Sequence, residues 1–189
     1  VALLLALVAT GGCTQAVDGV AVPDPDWTVP RRDGPWREQV LPTDCLLTPA
    51  EMSALTGVAI TQVQPTDLRL TDGTYSHKCS YYGTPTTGEL RRWTSLIATI
   101  KAVTPSLGGE ITDEMLTRII APGSTVLSGV GRRTVVEPVV RDDDFPVMRV
   151  VTDKYLVHVV LVAGTITAVP DLEGWRRAAT AVVAALPTS

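Results

Sequence analysis

Thiols and imidazoles are scarce in this chain: three cysteines, Cys13, Cys45 and Cys79, and two histidines, His77 and His158. His77 stands two residues before Cys79, a spacing that places both on one face of a strand and offers nitrogen and sulfur to a zinc ion. A cysteine held in a disulfide cannot ligate zinc, so no metal is expected there. His158 falls in a run with Leu156, Val160 and Val162 and reads as a core or half-exposed strand histidine rather than a ligand. Asp142, Asp143 and Asp144 are adjacent, so they point in different directions. They lack the spaced ligands and supporting glycine of a calcium loop, and read as a solvated turn. Gly129-Val130-Gly131 lacks a third glycine and leads into Arg132-Arg133 and β-branched residues, not a helix. It reads as a tight turn before a strand, with no helix dipole to hold phosphate. Neither Gly-x-Ser-x-Gly nor His-Glu-x-x-His occurs. A glycosidase-type carboxylate pair would want aromatic platforms, and Phe145 is the sole phenylalanine. No catalytic residue and no cofactor is assigned, and a non-enzymatic role is expected.

The first stretch gives an address. Val1 to Val8 contains only Val, Ala and Leu, and small residues from Ala9 to Gly12 lead into Cys13. An apolar run of this length, ending in small residues, has the shape of a secretory signal and is short for a membrane span. The cysteine placed directly after it matches a bacterial lipobox. Residues 1–12 are expected to be cleaved as a signal peptide, leaving Cys13 as an acylated N-terminus. No basic region precedes Val1, so the start of translation is expected upstream.

Removing the leader leaves about 175 residues, the size of one domain. A net charge of −4 lacks the clustered basic face that a nucleic-acid partner wants. The paired basics Arg91-Arg92, Arg132-Arg133 and Arg176-Arg177 read as solvated faces. Outside the cytoplasm Cys45 and Cys79 would be oxidised, and an even pair there reads as a disulfide, with two buried thiols as the alternative.

Residues 13–41 read as a tether, stiffened by Pro23, Pro25, Pro30 and Pro35 and interrupted by Trp27 and Trp36. The single domain is expected over residues 42–189. Thr48, Pro49 and Glu51 spell a capping box, and Gly57 a C-terminal stop, predicting a helix over 48–56. Val58–Val63 and Asp67–Leu70 read as strand pieces, Asp72-Gly73 as a hairpin turn, and His77–Tyr82 as the returning strand. Leu90–Val103 reads as a long strand with Leu96, Ala98 and Ile100 on one face, and Thr112–Ile120 as a second helix. The stretches 134–140, 146–152 and 155–163 read as three strands whose short links force antiparallel neighbours. Asp171 caps a last helix whose stripe is Leu172, Trp175, Ala179, Val182, Val183 and Leu186. The expected fold is α+β: an antiparallel meander with two or three amphipathic helices on one side and one disulfide. Trp175, Ala179 and Val182 line either a ligand groove beneath that helix or a filled core.

Asp44-Cys45-Leu46-Leu47-Thr48, Cys79-Ser80-Tyr81, Gly129-Val130-Gly131 and Leu186-Pro187 together resemble motifs of actinobacterial lipoproteins of unknown function, the mycobacterial Lpp- and Lpr-type proteins. The resemblance spans Cys45 to Pro187. It implies an exported helix–sheet domain with a disulfide and no established catalytic residues. The function expected from residues and resemblance together is a lipid-anchored binding or accessory module on the outer face of the bacterial cell membrane. It would carry a hydrophobic ligand or meet an envelope protein; the alternative is an extracytoplasmic sensor.

Overall fold

Thr48 starts the first helix by exchanging hydrogen bonds with Glu51: its backbone N–H donates to the carboxylate at 2.7 Å, and its hydroxyl accepts from the Glu51 N–H at 3.2 Å. In the computed structural model, which describes residues 41–69, 75–85, 89–104 and 111–187, this helix is α1 (Pro49–Thr56). Gly57 closes it at φ 69°, and a Cβ there would lie 1.9 Å from the Thr167 hydroxyl oxygen, so only glycine fits.

Seven strands follow, all antiparallel: β1 (Ile60–Arg69), β2 (Tyr75–Gly83), β3 (Ser95–Val103), β4 (Thr125–Val126), β5 (Arg133–Val136), β6 (Val147–Val151) and β7 (Leu156–Leu161). Their order across the sheet is β1-β2-β3-β7-β6-β5-β4. Two meanders, β1 to β3 and β4 to β7, thus meet where the last strand pairs with the third. The remaining helices are α2 (Asp113–Arg118) and α3 (Leu172–Ala185), the latter capped by Asp171, which accepts from the Gly174 N–H at 2.6 Å. The α+β class, the antiparallel sheet, the helices and the disulfide all match the sequence expectation.

Several boundaries differ, each for a local reason. The two strand pieces before the hairpin are one strand, with Pro65 inside it. The missing N–H is tolerated because β1 is an edge strand. Asp72 and Gly73 lie outside the described residues, but the pairs Arg69↔Tyr75 to Gln62↔Tyr82 have the register a hairpin requires. Residues Glu89–Arg92 form a turn of 3₁₀ helix, and β3 begins only at Ser95. A bulge opposite Tyr81 and Tyr82 turns Ile97 inward with Ala98, Ile100 and Ala102, leaving Leu96 half-buried. The strand expected over 134–140 stops at Val136, just ahead of Pro138. The last helix buries Trp175, Ala178, Ala179 and Val182 but leaves Leu172 exposed in its first turn.

One sheet face is covered by α1 and α3. Met148, Val150, Val157, Val159, Leu161 and Ile100 fill it from the sheet, and Met52, Leu55, Trp175, Ala179 and Val182 from the helices. α2 instead sets Leu116, with Ile111 before it, against Val151 and Leu156. These alternate with core-facing Val150 and Val157, so α2 lies on the opposite face. No helix among the described residues is long and apolar enough to cross a membrane.

Candidate functional site

The densest group of chemically capable side chains lies where the first hairpin meets the approach to α1. Antiparallel register sets Asp67 of β1 directly opposite His77 of β2, and the alternation of β2 puts His77, Cys79 and Tyr81 on one face. Cys79 is bonded to Cys45, with a Cα–Cα distance of 5.7 Å. His77 Nδ1 lies 2.6 Å from the Asp67 carboxylate, and its Nε2 lies 3.3 Å from Cys79 Sγ. The imidazole is only 3 % exposed whereas Asp67 is 70 % exposed, so the carboxylate links a buried ring to solvent. Cys79 is buried and Cys45 half-buried. Two residues further, Tyr81 donates to the Leu47 carbonyl at 2.7 Å, and burial pushes its phenol up to about 12.

The order carboxylate, imidazole, sulfur is that of an activated thiol. Here the sulfur is in a disulfide and carries no free nucleophile. The ligand atoms of Cys45, His77 and Cys79 all lie within 4.8 Å of one another, but oxidation withholds both sulfurs from a metal. Asp67 is the member that sequence reasoning missed. A hairpin centred on Asp72 already pairs residues 67 and 77, so the turn signal could have found it.

The opposite sheet face carries a second feature. Lys78, Lys101, His158 and Arg149 are cross-strand neighbours on β2, β3, β7 and β6. Arg149 is neutralised by Glu137 at 2.6 Å. His158 is held below the ordinary histidine range, first by burial and then by repulsion from Arg149 and Lys101. The unfolded chain therefore binds a proton at His158 more readily than the native one. Native stability from this group is present above the ordinary histidine value and is lost as pH falls toward the lower folded value. Between pH 7 and pH 5 the urea midpoint is expected to fall less in His158→Gln than in wild type. Parallel curves would show that the ring does not titrate differently on folding.

The other candidates read from the sequence have structural roles. Asp144 accepts from the Val140 and Arg141 N–H groups and from the Arg141 guanidinium, which hold its carboxyl below the usual range. The aspartate run is thus a self-capped turn. Gly129 and Gly131 take φ of 79° and 60°, and a Cβ on Gly131 would meet the Val151 carbonyl oxygen at 2.6 Å. Arg132 donates to the Ile111 carbonyl and Arg176 to that of Ser128. Cys13, Trp27 and Trp36 lie outside the described residues. Trp175, Ala179 and Val182 are buried in the continuous core, and a groove of about 250 Å³ lined by Leu55, Gly174, Ala178 and Ala181 runs between α1 and α3.

Apolar surface is exposed at the β4–β5 end of the sheet. There an open groove of about 460 Å³ is lined by Pro138, Val139, Pro146, Val169, Leu172 and Trp175, with Thr125, Glu137 and Asp171 among them. Val139, Val169 and Leu172 are exposed, as are Val140 and Phe145 on the adjoining connection. Comparison of the chain with protein-family models, curated proteins and solved structures returns no match.

Proposed function

We propose that this chain is an exported module, tethered to the outer face of the cell membrane through an acylated Cys13, that docks a protein partner of the cell envelope. The observation carrying the docking half is the contrast between the two ends of α3. In its middle, Trp175, Ala178, Ala179 and Val182 are buried in the core, which favours docking over carriage of a ligand beneath the helix. Its first turn instead presents Leu172 beside Val169 and Val139 along an open groove. Prolines and branched aliphatic residues line that groove together with the carboxylates Glu137 and Asp171. An apolar side chain flanked by Lys or Arg suits such a surface.

The tethering half rests on the apolar leader and the cysteine that follows it. The Cys45–Cys79 bond agrees with an oxidising compartment. A photo-crosslinking residue at Leu172 is expected to give a discrete adduct in intact cells. The same probe at Gln64, on the far edge of the sheet, should give none, and Val139→Asp should remove the Leu172 adduct. Indistinguishable adducts at the two positions would reject the docking surface, and palmitate label persisting in Cys13→Ser would reject the anchor.

A further inference from the structure

The disulfide beside His77 differs at its two ends. Cys45 is half-buried in the segment leading into α1, while Cys79 is 1 % exposed within β2. Only the buried sulfur touches an imidazole, Nε2 to Sγ at 3.3 Å. That ring is fixed at its other nitrogen by Asp67 at 2.6 Å. A structural cross-link needs neither partner. Thiol–disulfide exchange uses both, because its rate rises with access to the attacked sulfur and with stabilisation of the departing thiolate.

We infer that Cys45–Cys79 is a thiol–disulfide exchange site for an external dithiol, attacked at Cys45, with His77 as the acid at the departing Cys79 sulfur. In the first step a thiolate of the dithiol forms a bond to Cys45 Sγ as the Cys45–Cys79 bond breaks. The bonding pair leaves on Cys79 Sγ, which takes a proton from His77 Nε2 while Asp67 holds the ring through Nδ1; the ring then takes a proton back from water. In the second step the other thiolate of the dithiol attacks the mixed disulfide at its own sulfur. Cys45 is released as a thiolate and takes a proton from water. The dithiol ends as a disulfide and the protein as two thiols, so two electrons have passed to the chain. His77 here touches the reacting sulfur and is a catalytic residue of the exchange; Asp67 acts through His77 and is a positioning residue. The inference goes beyond the docking reading and does not depend on it, since it concerns the opposite end of the sheet.

The test uses the full oxidised chain and dithiothreitol at pH 7, with the reaction quenched by a maleimide and the free thiols counted by mass spectrometry. His77→Gln is expected to be reduced about tenfold more slowly than wild type, because the leaving thiolate has lost its proton donor. A purely structural His77 gives the opposite sign: its loss loosens the packing and exposes the disulfide, so reduction speeds up. Equal or faster reduction in His77→Gln overturns the inference. Should that variant fail to fold, Asp67→Asn carries the test, since its side chain is 70 % exposed. It is expected to slow reduction several-fold, and an unchanged rate overturns the inference. With glutathione in place of the dithiol, the mixed disulfide is expected on Cys45, and an adduct on Cys79 overturns the assignment of the attacked sulfur.

Discussion

Trp175→Ala is expected to lower stability by about 3–5 kcal/mol, the largest effect of any single replacement in α3. The indole is 1 % exposed and belongs to the cluster that joins α3 to β6, β7 and α1. Truncation removes its apolar area from the core and leaves a cavity, because neighbours fixed in two strands and a second helix cannot collapse into the space. For a domain of ordinary marginal stability this is a large fraction of the total. The urea midpoint should fall accordingly with little change in slope. The contrast is Leu172→Ala, three residues earlier in the same helix and 51 % exposed, which should stay within about 0.5 kcal/mol. Similar midpoints for the two variants would show that α3 is not anchored through the indole.

The second large effect is expected from Cys45→Ala/Cys79→Ala. The bond closes a loop with a sequence separation of 34. In the chain-entropy model that contributes about 4 kcal/mol by restricting the unfolded chain. The folded side agrees, because the same corner is also tied by Tyr81, whose hydroxyl donates to the Leu47 carbonyl. The double variant should therefore keep its fold in water and unfold at lower urea. Its slope should also steepen, since an uncrosslinked unfolded chain exposes more surface. An unchanged midpoint would mean that Tyr81 and the core beneath α1 hold this corner without the sulfur bridge.

Features set by neighbours along the chain are legible in the sequence. The capping box at Thr48 and Glu51, the stop at Gly57, the cap at Asp171 and the hairpin register around residue 72 all depend on residues within a few positions of one another. Features set by distant partners are not. Pro65 breaks the apparent strand pattern, and only its place at the sheet edge explains why the strand continues through it. Leu172 fits the apolar stripe of α3 by spacing, yet the helix projects its first turn past the edge of the core. The short β4 gives no periodic signal at all, since two residues cannot show a period. At the candidate site the bond between Cys45 and Cys79 is an expectation of the sequence that the fold shows, and His77 is visible beside Cys79. Asp67 stands opposite His77 in the hairpin register, but its contact with the ring is visible only in the fold.

The order of residues thus dictates the helix caps, the short-link antiparallel pairs and the α+β class. Each of these follows from local backbone chemistry. It takes the folded chain to show that β3 meets β7, that Trp175 is buried, and that a carboxylate, an imidazole and a disulfide form one contiguous line. The difference is one of range. Propensity and capping act over one or two turns of chain, whereas packing and cross-sheet contacts depend on which distant surfaces exclude water together.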